Sequence, residues 1–438
     1  MAEQRTAADP RRVALAALDA IETRQTPLET ALADAPGFGA LAGRDRAFAR
    51  NLVSTCLRHH GEIDAVMAAL IDRPLPDRAR AARHILKLGL TQLLFLATPP
   101  HAAVATSVSL ADHGPAMRFK GLINAVLRRS TREGADVLAQ LDAARINTPD
   151  GLWHSWEAAY GADGAHAIAS ANMIEPPLDL TPRKGEDIAA LAQMIGAEPL
   201  PTGSLRCREG GMIAALPGFD EGRWWVQDAA AALPARLLGD VAGRRVLDLC
   251  AAPGGKTLQL ADAGGQVTAV DYDKNRLEMV RRNLTRIRLK ADLVCADGRK
   301  YDAPPFDAVL LDAPCSATGT IRRHPDIALG KGPADAARLA PLQDALLDNA
   351  ARLTRPGGTL VYAVCSLQPE EGEGRIEAFL ARHPDFTRAS VTADEIGGLT
   401  EAITTAGDLR TLPSFLGTLG GMDGFYAARL RRSIEAAT

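Results

Sequence analysis

Val246-Leu247-Asp248-Leu249-Cys250-Ala251-Ala252-Pro253-Gly254-Gly255-Lys256-Thr257 joins an apolar strand, a run of small residues and the opening of a helix. Small residues let backbone amides and the positive end of a helix come close to a ligand. The spacing is neither GxGxxG nor GxxxxGK followed by Ser or Thr, so the standard dinucleotide and P-loop readings both fail. Outward from this stretch, apolar and β-branched runs at Gln266–Asp271, Asp292–Asp297, Phe306–Leu311 and Gly358–Val364 alternate with helical patterns. That alternation predicts βαβ units and a mostly parallel sheet covered on both faces, a Rossmann-like α/β domain over residues 223–438. Phe386–Val391 and Gly424–Leu430 read as an edge hairpin.

The second strand ends in Asp271, placed to accept hydrogen bonds from ribose hydroxyls, and the third ends at Asp297. Together with the small-residue loop they predict a ligand containing adenosine. Two further motifs follow: Leu310-Leu311-Asp312-Ala313-Pro314-Cys315-Ser316, and Tyr362-Ala363-Val364-Cys365-Ser366-Leu367-Gln368-Pro369-Glu370-Glu371. Each sets a cysteine just past the carboxyl end of an apolar strand, where open α/β sheets bind ligands. Two thiols are therefore expected in one crevice. Cys56, Cys207, Cys250 and Cys295 read as small core residues. The wide spacing of the six cysteines, with no CxxC pair, argues against a disulfide framework and a metal site.

Residues 1–145 are rich in Ala, Leu and Arg with apolar positions at helical spacing, such as Val13, Leu18 and Ile21, and predict an all-helical bundle. Residues 146–222 read as a small α+β connector, with strand-like runs at Leu178–Thr181 and Met212–Leu216 and a helix whose Trp153, Trp156 and Tyr160 share a face, as core residues do. The net charge of −3 hides an asymmetry, +4 over residues 1–145 and −7 over the rest, so nucleic acid is not bound through bulk charge. Only eight of 50 cations are lysine, which leaves phosphate contacts to arginine. Ala2-Glu3-Gln4-Arg5 does not open a secretory signal. Ile85–Thr98, interrupted by Lys87 and Gln92, falls short of the roughly 20 apolar residues a bilayer needs. A cytoplasmic chain that avoids membranes is expected.

The three motifs, in this order, resemble the signatures of the S-adenosylmethionine-dependent RNA cytosine-5 methyltransferases of the Sun/Nop group. The front, with Asp45-Arg46-Ala47-Phe48 and Phe119-Lys120-Gly121-Leu122-Ile123-Asn124-Ala125-Val126-Leu127-Arg128-Arg129, is similar to the NusB-like RNA-binding domain fused to the bacterial branch that acts on small-subunit ribosomal RNA. The chain departs from the family at Ala317, usually Gly, at Gly372, often Asn, and at Ala363-Val364, usually Ser-Thr.

The resemblance implies S-adenosyl-L-methionine as cofactor, lined by Cys250, Ala251, Ala252, Pro253, Gly254, Gly255, Lys256, Asp271, Asp297 and Asp312. It implies a cytosine of 16S ribosomal RNA as substrate, Cys365 as the thiolate that adds at C6, and Cys315 as the group that helps release the product. By sequence logic alone the two cysteines are interchangeable. Asp312, protonated or sharing a proton, holds the N3 and N4 edge of the base in this reading, and Lys256 sits near the thiol or the base. The alternative for Lys256 is a solvated first-turn lysine. The target base must leave its stack, so cations are expected at the cleft mouth, drawn from Lys274, Arg276, Arg281, Arg282, Arg286, Arg288 and Lys290 and from Arg322-Arg323. Two other functions fit the same residues: a transfer-RNA cytosine-5 methyltransferase, and a catalytically silent RNA-binding assembly protein.

Overall fold

The computed structural model describes residues 9–208 and 211–434, so Ala2–Arg5 lies outside the described residues. The chain divides into two units, one reaching Ile174 and also including Ile321–Gly330, the other formed by the rest.

The first unit is helical, with its longer helices at Pro10–Arg24, Gly43–Arg58, His60–Leu70, Arg80–Leu94, Pro100–Ser109, Lys120–Leu138 and Asp150–Asn172. The first opens on Pro10, whose fixed φ suits a first turn, and is capped by the Asp9 carboxylate accepting from the Arg11 N–H. Leu18, Leu52, Leu86, Ile123 and Leu127 form its core with the helical spacing the sequence shows. Of the three aromatic residues expected on a core face, Trp156 is buried in that unit, and Trp153 and Tyr160 are only half-buried. The segment 321–330 adds Leu329 to this core, and Asp326 accepts from the Leu28 N–H at 3.1 Å. Arg322 is 1% exposed, and its carbonyl accepts from Arg58 at 2.9 Å, which overturns the phosphate contact expected of Arg322, while Arg323 is half-buried.

In the second unit, β1 (Leu178–Pro182), β2 (Glu198–Pro199), β3 (Leu205–Cys207) and β4 (Trp224–Val226) make an antiparallel sheet in the order β2-β3-β1-β4. The strand expected at Met212–Leu216 is instead a short 3-10 turn at Ile213–Ala215. The main sheet contains β5 (Arg245–Leu249), β6 (Gln266–Asp271), β7 (Asp292–Cys295), β8 (Phe306–Asp312), β9 (Thr354–Val364), β10 (Phe386–Arg388), β11 (Leu409–Thr411) and β12 (Phe425–Arg432). Its order is β10-β12-β9-β8-β5-β6-β7, with β11 also on β12. β9, β8, β5, β6 and β7 are parallel, and β12 joins β9 antiparallel. The expected edge hairpin is therefore two strands that pair directly but enclose an excursion through β11.

Alternate side chains of β5 and β8 reach opposite layers, the period-two pattern of a strand buried on both faces. Leu247, Leu249, Val309 and Leu311 pack with Leu347 and Phe379 of helices Pro333–Leu353 and Glu373–Arg382. Val246, Ala308 and Leu310 pack with Leu233 and Leu260 on the other side. The register places Asp312 of β8 opposite Ala363 of β9, and the Ala313 N–H extends the ladder to the Ala363 carbonyl at 2.8 Å. The loops that carry Cys315 and Cys365 thus leave the sheet side by side.

Candidate active site

The small-residue loop begins where β5 ends. Cys250 turns the chain with a left-handed φ of 61°, and Gly254, at φ 106°, starts helix Gly255–Asp262. A Cβ on Gly254 would stand 3.0 Å from Val280 Cγ1, so glycine is required there by both conformation and space. Helix Lys274–Ile287 fixes the outer side of the loop: Arg276 donates to the Ala252 carbonyl at 2.7 Å, and Asn283 to that of Pro253 at 3.2 Å. Arg286 donates to the Phe219 and Trp224 carbonyls, and Arg281 and Arg282 pair with Glu278. Much of the basic run expected at the cleft mouth is engaged within the protein.

Asp271 lies at the carboxyl end of β6, 2% exposed, accepting from the Ala252 N–H and the Asp273 N–H at 3.1 Å each. Asp297 follows β7 and is gripped by the Arg299 guanidinium, which holds its carboxyl below the usual range. The Cys250 thiol is driven well up by burial and the nearby Asp271, Asp312 and Asp248 carboxylates, so it stays protonated. Cys56 and Cys207 are buried, whereas Cys295 is exposed at the end of β7 rather than in the core.

Lys256 is 8% exposed and donates to Asp312 Oδ2 at 2.7 Å, so it is no solvated first-turn lysine. Its Nζ stands 5.0 Å from the centre of the Phe425 ring. Burial opposes its charge, but Asp312, Cys365 and Asp248 outweigh burial and raise its pKa above the ordinary lysine value. The Cys315 and Cys365 sulfurs are 3.5 Å apart. The Cys315 thiol is pushed far up by its hydrogen bond to Cys365, by burial, and by the charges of Cys365 and Glu371. A lone thiolate in this pair therefore has a proton donor at contact distance and an ammonium nearby.

Sequence reasoning missed Asp248 and Phe425. Asp248 is fully buried in β5, accepts from the Thr257 hydroxyl at 2.6 Å through Oδ2, and leaves Oδ1 without a hydrogen-bond partner. Burial, with the Asp312 and Asp271 charges, raises its pKa to about 7 against the pull of Thr257 and Lys256. A carboxylate in the middle of an apolar strand was the signal available. Phe425 had only its place after a glycine-rich run.

A family model described as 16S rRNA methyltransferase RsmB/F matches residues 235–431, and one described as the NusB family matches residues 8–132. The ribosomal RNA small subunit methyltransferase B of Cronobacter sakazakii is 37% identical over 436 residues, 96% of this chain and 98% of its own length. The chain belongs to the RsmB/F methyltransferase family. The Pseudomonas putida relative of the same name is likewise 37% identical, across 96% of this chain and 98% of its own. The crystal structure of PH0851 shares the RsmB/F family chain's fold with a TM-score of 0.72 and 22% identity, over 97% of this chain and 99% of that one. NSun6 from Pyrococcus horikoshii gives a TM-score of 0.55 at 21% identity, over 66% of this chain and 99% of that one.

The methyl donor of this family member is S-adenosyl-L-methionine. The residues present fit it: a glycine-shaped loop after a parallel strand, a buried acid at the end of the next strand, and the unpartnered buried oxygen of Asp248.

Proposed function

We propose that this chain methylates C5 of a cytosine in 16S ribosomal RNA through a covalent bond between Cys365 and C6. The observation that carries the reading is the pair of thiols 3.5 Å apart beside the Lys256–Asp312 ion pair, all at the carboxyl edge of the sheet. The family description supports the RNA, and the NusB-type front supports RNA contact by the helical unit. Among the described residues no helix is long and apolar enough to cross a membrane, and we place the protein in the cytoplasm with its ribosomal substrate.

C5 of cytosine is a poor nucleophile, and addition of a thiolate at C6 makes it an enamine; covalent catalysis divides one hard step into easier ones. Cys365 supplies the thiolate, and the Lys256 ammonium interacts with it as the opposite charge. Asp312 holds the amino edge of the base, and the proton shared between it and Lys256 meets the charge that develops at N3. Residues Cys250 to Lys256, with Asp271, Asp297 and Asp312, hold S-adenosyl-L-methionine, which when bound supplies an electrophilic methyl group. Cys315 acts after the C5–methyl bond has formed: as a thiolate, its own proton having first passed to water, it takes the C5 proton, the electron pair re-forms the C5–C6 double bond, and the Cys365 sulfur leaves as a thiolate.

Incubation with unmodified 16S ribosomal RNA and labelled S-adenosyl-L-methionine should yield 5-methylcytidine on nucleoside analysis, and Cys365→Ala should lower the rate at least about 1,000-fold. Product on transfer RNA in its place would redirect the substrate, and no product on any RNA would reject the reading.

A further inference from the structure

Beneath the two thiols lies a buried polar cluster centred on Glu371. Its carboxylate is fully buried and receives four hydrogen bonds from neutral donors. Oε1 accepts from the Ser316 N–H at 2.9 Å and from Gln343 Nε2 at 3.1 Å. Oε2 accepts from the Ser316 and Ser366 hydroxyls, each at 2.5 Å. A carboxylate offers about four lone-pair sites, so this one is filled. Ser316 follows Cys315 and Ser366 follows Cys365, which puts one carboxylate on both cysteine loops. Gln343 also donates to the Pro314 carbonyl at 3.0 Å, and the Tyr362 hydroxyl donates to the Glu371 carbonyl at 2.7 Å, anchoring the cluster to the sheet and the helix behind it.

We infer that Glu371 is the positioning residue that sets the distance between the Cys315 and Cys365 sulfurs. The inference rests on the two-thiol reading above and deepens it. A charged group this deep is costly to bury, and neutral groups could have packed the loops as tightly. The four donors instead converge on a single rigid acceptor, so neither loop moves without breaking bonds to the other. Glu371 touches neither thiol through a hydrogen bond, and its effect passes through the backbone of Ser316 and Ser366. Its charge also contributes, after the Cys365 hydrogen bond and burial, to the raised pKa of Cys315.

The test uses the full chain and a readout that needs no methylation. Diamide oxidises two neighbouring thiols to a disulfide and is itself reduced to the hydrazine, and the Cys315–Cys365 bond is counted by mass spectrometry of unreduced digests. The wild type should cross-link readily. Glu371→Ala should slow cross-linking at least tenfold, and Ser366→Ala, a milder lesion that removes one donor, two- to fivefold. In Ser366→Ala and Glu371→Gln, kcat for methylation should fall while KM for S-adenosyl-L-methionine stays within twofold, a split that general loosening of the fold does not give. Wild-type cross-linking rates in both Ser366→Ala and Glu371→Gln, or a parallel loss of cofactor affinity in both, would overturn the inference. Failure of the wild type to methylate RNA would bear on the proposed function alone, because cross-linking is read separately.

Discussion

At the scale of the residue, the site depends on where single charges and single methyl groups sit. Asp248 keeps its proton to about pH 7 because burial and two neighbouring carboxylates disfavour the anion. Its folded pKa lies above the unfolded value, so the folded state binds the extra proton and stability falls as pH rises from about 4 to about 7. Asp248→Asn removes that slope: relative to wild type, the variant should be more stable at pH 8 than at pH 5 by about 2–3 kcal/mol. Melting temperatures of both proteins at the two pH values check this, and equal differences at both would refute it. The departures from the family pattern also acquire reasons at this scale. Ala317 has a left-handed φ of 60°, the conformation glycine adopts at no steric cost, so alanine is tolerated there with strain. A side chain on Gly372 would begin 2.6 Å from Arg410 Nη2 and 2.9 Å from Tyr426 Cγ, which is why asparagine has no room in this chain. Ala363 and Val364 are fully buried and serve as core.

At the scale of the element, the parallel strands and their order decide which loops meet. The strand runs and the carboxyl-end placement of Cys315 and Cys365 were legible, because apolar strands bounded by small residues are a local signal. The meeting of the two thiols in one crevice was legible from the same strand-end positions, whereas the strand order that sets β8 beside β9, and hence the direct contact of the sulfurs, was not. The Glu371 cluster and the burial of Arg322 were not legible, since both arise from hydrogen bonds and packing between segments distant in sequence. The same contacts make a prediction at Gly319, whose N–H donates to the Cys365 carbonyl at 3.0 Å and whose carbonyl accepts from the Gly424 N–H at 2.8 Å. A Cβ there would fall 1.9 Å from the Gly424 oxygen, so the loop after β8 must separate from β12. Gly319→Ala should cost about 3 kcal/mol and abolish methylation. A variant with wild-type melting temperature and activity would show that the clamp between these loops is not needed.

At the scale of the whole molecule, the chain is two units whose sequence is interleaved, since Ile321–Gly330 belongs to the helical unit although both its flanks belong to the other. The Asp326 carboxylate accepts from the Leu28 N–H and the Arg322 carbonyl from the Arg58 side chain, so removal of residues 1–174 leaves those bonds unmade and bares Ile321 and Leu329. The fragment 175–438 should bind more hydrophobic dye, self-associate and melt at least about 5 °C lower than the full chain; a monodisperse fragment with the full-length melting temperature of the methyltransferase unit would refute that dependence. The central claim concerns the division of labour between the two thiols, and trapping the covalent intermediate tests it most directly. Cys315→Ala, incubated with 16S ribosomal RNA and S-adenosyl-L-methionine, should accumulate a protein–RNA adduct, because the C5 proton is not removed and the sulfur cannot leave. Nuclease and protease digestion followed by mass spectrometry should find a methylated cytidine nucleotide on the peptide containing Cys365. Absence of any adduct, or an adduct formed instead by Cys365→Ala and carried on Cys315, would contradict the account.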